Sequence, residues 1–261
     1  MNPEEHAMRQ WILLRGLTRE AAHWGTFAAD FERGLPNDRV VMLDLPGNGQ
    51  FCDQASPASV PGMVQACREA LAAREIAPPY HLLAMSLGAM VGIEWARVAG
   101  HEVAGGVLIN TSVRPFSPLH HRLRPRNYAA LVGLALRSQS TAAVEETVLR
   151  LTSNRVSEHR GVVKDWAAVR AQRPVSTANA LRQLWAAARY RAPAAAPIER
   201  MLLLVSRNDG LVRGECSVAI ANAWQRPVVS HPFAGHDLPL DDAQWVVEQV
   251  RRWLAEESAG C

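Results

Sequence analysis

The most informative stretch of this 261-residue sequence is Tyr80-His81-Leu82-Leu83-Ala84-Met85-Ser86-Leu87-Gly88-Ala89-Met90. Its first six residues form a largely apolar run that predicts a strand, and the residues after the serine have the pattern of a helix. The serine has a small residue two positions before it and another two positions after it. Small residues are required there because the strand and helix backbones come close at so sharp a turn. The pattern therefore predicts that Ser86 projects its hydroxyl from the edge of a sheet as a candidate nucleophile.

The segments on either side of this turn predict an α/β fold. Residues 1–110 alternate short apolar runs with longer helical patterns, as expected for a parallel sheet with crossover helices. Strands are predicted at residues 11–14, 40–43, 80–85 and 103–109, and helices at residues 20–33, 60–74 and 87–98. The same rhythm returns with strands at residues 201–205 and 228–231 and with helices at residues 215–224 and 243–257, the last with Asp241 as its N-cap.

The middle of the chain has a different pattern. Residues 111–197 contain no strand-like run, and helical patterns occur at residues 128–137, 142–151, 162–170 and 178–189. We therefore predict an α/β core made of residues 1–110 and 198–261, with a mostly parallel central sheet flanked by helices. Residues 111–197 are predicted to be an inserted helical cap that covers Ser86.

Two further residues match the chemistry that a nucleophilic serine needs. A serine requires a general base, and the base requires an orienting carboxylate. Asp209 follows the predicted strand at residues 201–205, and His236 follows the last predicted strand. Both lie beyond the carboxyl ends of strands, where open α/β sheets form their sites. We predict Ser86, Asp209 and His236 as catalytic residues; the alternatives are a helix-capping serine, a turn-forming aspartate and a surface histidine.

A serine nucleophile also needs donors for the negative charge that develops on the carbonyl oxygen. Two backbone amides supply this oxyanion hole in such folds, one from the residue after the nucleophile and one from the loop after the first strand. These amides are predicted to be those of Leu87 and Leu17. Arg15 and Trp24 lie near the same loop in sequence and are candidates for substrate contact, although a tryptophan at the position of Trp24 belongs more often to the core.

Five segments together resemble the α/β-hydrolase superfamily, in particular single-domain esterases with a helical cap, over about residues 10–256. They are Arg15-Gly16-Leu17, Asp44-Leu45-Pro46-Gly47-Asn48-Gly49, Ala84-Met85-Ser86-Leu87-Gly88, Asp209-Gly210-Leu211-Val212 and Gly235-His236-Asp237. The chain departs from the family pattern at Arg15 and Asn48, where histidine is frequent, and at Ala84, where glycine is frequent. The resemblance implies a serine hydrolase that cleaves small or medium acyl esters through an acyl-enzyme and needs no cofactor. Members with an aspartate nucleophile are disfavoured because the residue at the turn is Ser86.

The charge of the chain is unevenly distributed. Residues 111–195 hold 14 basic and 4 acidic residues, while the rest of the chain holds 14 and 21. The densest basic run is His120-His121-Arg122-Leu123-Arg124-Pro125-Arg126. It is either a solvated surface or a place where an anion docks, such as a carboxylated ester, a coenzyme A ester or an acidic acyl carrier protein. Arg122, Arg124 and Arg126 are therefore candidate substrate-binding residues; the carrier alternative resembles the pimeloyl-acyl-carrier-protein methyl ester esterases.

Composition excludes several other classes. A chain with 48% hydrophobic and 20% charged residues is neither disordered nor a coiled coil. No run of 18 apolar residues predicts a membrane span, and the first residues lack a signal core, so we expect a cytoplasmic protein with free cysteines. The acidic sheet half and the absence of known motifs disfavour nucleic acid, and the histidines suggest no metal site. A non-catalytic ligand-binding protein of this fold remains a rival, and the oligomeric state stays open.

Overall fold

A parallel six-stranded sheet forms the centre of the computed structural model, which describes residues 8–136 and 140–259. The strands are β1 (Gln10–Leu14), β2 (Arg39–Leu43), β3 (Tyr80–Met85), β4 (Val103–Ile109), β5 (Met201–Ser206) and β6 (Val228–His231). Their order across the sheet is β2-β1-β3-β4-β5-β6, and every neighbouring pair is parallel. Each strand agrees with its predicted range to within one residue at either end. Because all strands run the same way, the loops after them meet at one edge of the sheet.

Eleven α-helices surround this sheet among the described residues. They are α1 (Phe27–Gly34), α2 (Val60–Ala72), α3 (Leu87–Val98), α4 (Leu119–Arg122), α5 (Tyr128–Leu136), α6 (Thr141–Thr152), α7 (Val162–Gln172), α8 (Thr177–Arg189), α9 (Glu215–Trp224), α10 (Leu238–Asp241) and α11 (Ala243–Ala259). Helices α4 to α8 lie between β4 and β5, within residues 111–197, which we call the inserted segment. Residue 137, at the end of one predicted helix, lies outside the described residues.

The alternation of side chains along the strands produces a core on each face of the sheet. In β1, Ile12 and Leu14 point to the face covered by α2 and α3, while Trp11 and Leu13 point to the face covered by α1 and α11. All four side chains are fully buried. Burial on both faces is the pattern of a central strand in an α/β sheet, which confirms the predicted fold class.

Two local predictions were wrong. Residues 20–33 do not form one helix: a 3-10 turn at Ala21–Trp24 is separated from α1 by Gly25, whose φ of +55° breaks the helical path. Asp241 does not cap α11, because it is the last residue of α10 and already helical. Asp242 takes that role, its Oδ1 accepting a hydrogen bond from the Trp245 amide at 3.0 Å. The Asp241 carboxylate instead accepts a hydrogen bond from the Gly235 amide at 2.7 Å.

Helix α8 attaches the inserted segment to the carboxyl edge of the sheet. Asn179 Oδ1 accepts a hydrogen bond from the Ser56 amide at 2.9 Å. One turn later, Gln183 Oε1 accepts from the Thr18 amide at 2.9 Å, and its Nε2 donates to Asn48 Oδ1 at 2.8 Å. Both α8 side chains are buried. The loops after β1 and β2 are therefore held to the inserted segment by polar contacts of two buried side chains.

Candidate active site

Ser86 occupies the sharp turn between β3 and α3. Its φ of +56° and ψ of −116° are strained for a residue with a side chain. The Ser86 amide is tied to the Ile109 carbonyl at 2.9 Å, which anchors the turn to the end of β4. A Cβ at Gly88 would lie 2.5 Å from the backbone oxygens of Leu14 and Arg15. The close backbone approach that was predicted from the small residues is therefore present.

His236 and Asp209 meet behind the same edge of the sheet. The Nδ1 of His236 lies 2.6 Å from Oδ2 of Asp209, and the two residues are 3% and 1% exposed. The other carboxylate oxygen, Oδ1, accepts hydrogen bonds from the amides of Leu211 and Val212 at 2.7 and 2.9 Å. Because an ionised carboxylate only accepts, the proton of the neutral imidazole sits on Nδ1. The Nε2 of His236 then carries the free lone pair that a general base needs.

Asn110, which the sequence analysis did not single out, links the end of β5 to the loop that carries His236. Its Nδ2 donates to the His236 carbonyl at 2.8 Å and to Ser206 Oγ at 3.0 Å, and its Oδ1 accepts from the Ser206 amide at 2.7 Å. Asn110 is buried and has a φ of +47°. A polar residue directly after the apolar strand β4, at the same edge as Ser86, is the signal that points to it.

Ser86 and His236 line one cavity of about 110 Å³ beneath the inserted segment. The loop after β1 forms a second side of this cavity, and it contributes Arg15, Leu17 and Arg19. The remaining wall comes mainly from apolar side chains of α5 and α6, namely Leu131, Leu134, Val148 and Leu151. The structure thus brings the predicted serine and histidine to one space, with Asp209 hydrogen-bonded behind the histidine.

The two amides predicted for the oxyanion hole lie in the segments that flank Ser86. Leu17 lines the cavity within a turn that is closed by a 3.2 Å hydrogen bond from the Arg19 amide to the Gly16 carbonyl. A Cβ at Gly16 would lie 3.1 Å from the Ser86 Cβ, so this turn packs against the serine. Leu87 is the first residue of α3, and the first amides of a helix have no acceptor within it.

A model of the alpha/beta hydrolase family matches residues 11–249 of this sequence. The chain belongs to the alpha/beta hydrolase family. The match spans the sheet, the inserted segment and the loops that carry Ser86, Asp209 and His236. A search of curated proteins found no significant match.

Solved structures with the same fold include hydrolases of different names. An enol-lactonase from Burkholderia xenovorans LB400 superposes with a TM-score of 0.77 at 16% identity, over 97% of this chain and 94% of that one. A thermophilic esterase from Thermogutta terrifontis gives 0.73 at 20% identity, over 95% and 90%. The 2-hydroxy-6-oxo-6-phenylhexa-2,4-dienoate hydrolase of Rhodococcus sp. strain RHA1 gives 0.74 at 18% identity, over 95% and 91%. At these identities the likeness establishes the fold alone.

In this alpha/beta hydrolase, Arg15 forms a buried ion pair with the residue after His236. Its Nη1 and Nη2 donate to the two carboxylate oxygens of Asp237 at 3.0 and 2.5 Å. Burial acts to raise the pKa of Asp237, but the Arg15 guanidinium and its hydrogen bonds outweigh burial and lower it. The guanidinium also stacks 4.7 Å above the Trp24 ring. Trp24 is buried in the core beneath Arg15, and only Arg15 of the two lines the cavity.

The three arginines of the basic run are not brought to the cavity. The Arg122 guanidinium is buried and donates to the carbonyls of Ala187 and Ala188 at 2.5 and 3.2 Å, at the end of α8. Burial lowers its pKa. Arg126 is exposed and donates to the Gly210 carbonyl at 3.2 Å, and Arg124 is partly buried. Their contact with a substrate or with a carrier protein stays a prediction.

Other polar candidates in this hydrolase have structural contacts. Asp44 accepts hydrogen bonds from the amides of Ala21 and Gln50 at 2.6 and 3.0 Å, so it links the loops after β1 and β2. Across residues 8–136 and 140–259, no three His, Cys, Asp or Glu side chains are arranged to hold a metal ion. Cys52, Cys67 and Cys216 are free, while Cys261 lies outside the described residues. None of the described helices is both long and apolar enough to cross a membrane.

Proposed function

We propose that the protein is a serine hydrolase that cleaves carboxylic esters of small or medium acyl chain length. The observation that carries this proposal is the 2.6 Å contact between His236 Nδ1 and Asp209 Oδ2. This contact orients the imidazole of His236, which lines the same cavity as Ser86. Ser86 itself lies on a strained turn of the kind that presents a nucleophilic serine. The inserted segment acts as a cap that covers this cavity.

In the first half of the reaction, Ser86 attacks the ester carbonyl while His236 Nε2 takes the hydroxyl proton. Asp209 holds the imidazole in the required tautomer and stabilises the positive charge that forms on it. The amides of Leu17 and Leu87 donate to the oxyanion, which is the group whose charge increases most on the way to the tetrahedral intermediate. His236 then returns the proton to the leaving alcohol, and the acyl group stays on Ser86.

In the second half, water enters where the alcohol has left. His236 removes a proton from this water, which attacks the acyl-enzyme carbonyl, and the same two amides bind the second oxyanion. Collapse of the intermediate returns the proton to Ser86 and releases the carboxylic acid. None of these steps requires a cofactor, because the histidine carries every proton.

The size of the cavity supports a short acyl group. Its volume of about 110 Å³ is below that of a cavity of roughly 150 Å³ that holds benzene. The similar solved structures include an esterase and an enol-lactonase, and a lactone is an internal ester. These names favour acyl transfer to water as the reaction of this chain as well.

A test of this function combines ester turnover with labelling by a fluorophosphonate. We expect the wild-type protein to hydrolyse p-nitrophenyl butyrate and to be labelled, and Ser86→Ala to lose labelling and to lower kcat by about 10³- to 10⁶-fold. Ser59→Ala is a matched control, because Ser59 caps α2 through the Gly62 amide at 3.3 Å, away from the cavity. Unchanged turnover in Ser86→Ala would refute the assignment, and an unlabelled, inactive wild type would favour the rival ligand-binding protein.

A further inference from the structure

Two arginines stand at the cavity wall with their guanidinium groups fixed in place. Arg15 and Arg19 both line the cavity, and they are only 3% and 6% exposed. Arg15 stacks on Trp24 at 4.7 Å, and Arg19 stacks on Trp166 at 4.1 Å. A guanidinium held on an aromatic face loses little further freedom when it binds an anion. The triad and the oxyanion hole use neither of these side chains.

Each guanidinium keeps one buried nitrogen without a hydrogen-bond partner among the described residues. In Arg15 this is Nε, although both Nη atoms are bonded to Asp237. In Arg19 it is Nη2, while Nη1 donates to Glu145 at 2.5 Å. Buried donors are nearly always satisfied in folded proteins. Two open donors on two residues that line one cavity therefore indicate a missing acceptor.

Arg19, at the cavity wall, shares one carboxylate with a second arginine. Glu145 accepts from Arg19 and also from Arg170, whose Nε donates at 2.5 Å. Arg15 is paired one to one with Asp237, whereas Arg19 and Arg170 share the single carboxylate of Glu145. Of the nearby carboxylates, Glu20 pairs with Arg173 at 2.5 Å, and Asp44 is bonded to backbone amides.

The pKa of the adjacent His23 responds to the positive charge of these guanidiniums. Burial lowers the pKa of His23, and the guanidiniums of Arg19, Arg15 and Arg170 lower it further, so this buried histidine is neutral. Burial also lowers the pKa of Arg19 to about 10, which leaves it charged at neutral pH. A neutral His23 adds no positive charge to the cavity wall.

We propose that the natural substrate is a short ester carrying a free carboxylate, which binds to Arg15 and Arg19 while Ser86 attacks the ester group. The inference rests on the proposed ester hydrolysis and names its substrate class. A carboxylate offers two acceptor oxygens, one for each unpartnered donor, and its negative charge strengthens both hydrogen bonds. Because Arg15 adjoins Gly16, which packs against Ser86, and the cavity is small, only a few bonds separate the carboxylate from the scissile carbonyl. A neutral ester leaves the two donors unsatisfied and reacts more slowly.

Two esters of equal acyl length test this substrate class. Mono-p-nitrophenyl glutarate carries the carboxylate, and p-nitrophenyl pentanoate ends in a methyl group instead. We expect the wild-type protein to have a kcat/KM about 10- to 100-fold higher for the glutarate ester, as for the gain of a charge-assisted hydrogen bond. This comparison needs no variant, so it stands even if a substituted protein does not fold.

Arg19→Met and Arg170→Met form a matched pair of variants. Both remove a partner of Glu145, but only Arg19 lines the cavity. We expect Arg19→Met to lower the ratio of the two kcat/KM values by at least about tenfold and Arg170→Met to preserve it. Glutarate is the product of this hydrolysis, and its binding can be measured by calorimetry without turnover. We expect Arg19→Met to weaken glutarate binding and Arg170→Met to preserve it.

The outcomes separate this inference from the proposed function. A protein that is labelled by a fluorophosphonate but hydrolyses the pentanoate ester as well as the glutarate ester overturns the carboxylate site and leaves the serine hydrolase intact. A protein that is unlabelled and cleaves neither ester overturns the proposed function. Equal loss of the ratio in Arg19→Met and Arg170→Met overturns the site as well, because it assigns the effect to the Glu145 network.

Discussion

The two walls of the cavity are built from different chemistry. The sheet side consists of loops at the carboxyl ends of the strands, where hydrogen bonds and ion pairs fix His236 and Arg15 beside Ser86. The helical side consists of leucine and valine side chains of α5 and α6. Directed bonds hold reacting groups to a narrow geometry, whereas apolar contacts respond to volume.

This contrast assigns separate tasks to the two regions. Changes on the sheet side are expected to alter the rate of the chemical step or the free energy of unfolding. Changes on the helical side are expected to alter which acyl chain fits. Three substitutions test this division, and their expected effects decrease in size.

The largest effect is expected for Asp209→Asn. The side chain keeps its shape, but an amide that donates to Nδ1 favours the tautomer with the proton on Nε2, which cannot act as a base toward Ser86. Loss of the correct tautomer is expected to lower kcat for p-nitrophenyl butyrate by about 10³- to 10⁴-fold. The measurement is a steady-state assay on folded protein, with circular dichroism as a check of the fold.

Asp44→Asn is the matched control for this substitution. Asp44 also follows a parallel strand, is buried and accepts two backbone hydrogen bonds, but it does not touch His236. Asp44→Asn is expected to lower the free energy of unfolding and to retain most of the kcat for p-nitrophenyl butyrate. Equal losses of kcat in the two variants would remove the special role of Asp209.

An intermediate effect is expected for Asp237→Asn, which leaves the buried Arg15 without its carboxylate. Breaking a buried ion pair on one side costs about 3 kcal/mol of unfolding free energy near neutral pH. The pKa of Asp237 is lowered in the folded state from its ordinary value of 3.8. The stabilisation is therefore complete above about pH 4 and is lost as the pH falls through the folded value.

Urea denaturation at pH 6 and at pH 3 measures this dependence. The advantage of the wild-type protein over Asp237→Asn is expected to be smaller at pH 3 than at pH 6, because pH 3 lies below the ordinary pKa of 3.8. Asp30→Asn serves as the comparison, because Asp30 pairs with Arg33 on the surface of α1, where ion pairs contribute less than about 1 kcal/mol. A difference between wild type and Asp237→Asn that does not depend on pH would contradict the proposed origin of the stabilisation.

Site residues can be predicted from the sequence where neighbouring residues determine their position, and they are missed where their position depends on contacts between distant parts of the chain. The turn at Ser86 follows from its own neighbours, and Asp209 and His236 follow from their places after β5 and β6. The pairing of Arg15 with Asp237 joins residues from opposite ends of the chain, and neither carries a local pattern that names its partner. Asn110 is intermediate, because its place after β4 is visible in the sequence while its partners are not.

The arginines illustrate the same limit in terms of charge. The run at Arg122, Arg124 and Arg126 is conspicuous in the sequence, yet the Arg122 guanidinium donates its hydrogen bonds to backbone carbonyls at the end of α8. Arg15 and Arg19 stand in an ordinary loop and line the cavity. Charge density along the chain reports neither the burial of a guanidinium nor the cavity that it lines.

The smallest effect is expected on the helical side, for Val148→Ala. Val148 lines the cavity from α6, and truncation removes two methyl groups and makes room for about one more methylene of substrate. A methylene is worth about 0.8 kcal/mol, so the kcat/KM ratio of hexanoate to butyrate p-nitrophenyl esters is expected to rise about fourfold. The rate of fluorophosphonate labelling, which reports the sheet side, is expected to stay near that of the wild type.

Val144→Ala makes this prediction specific to the wall. Val144 lies one turn earlier on α6 and is not among the residues that line the cavity. It carries the same loss of two methyl groups and a similar effect on the helix, so its chain-length profile is expected to match that of the wild type. If both variants shift the profile equally, α6 acts through its stability, and the helical wall does not set acyl length by volume. If Val148→Ala alone shifts it while labelling is unchanged, the two walls act independently.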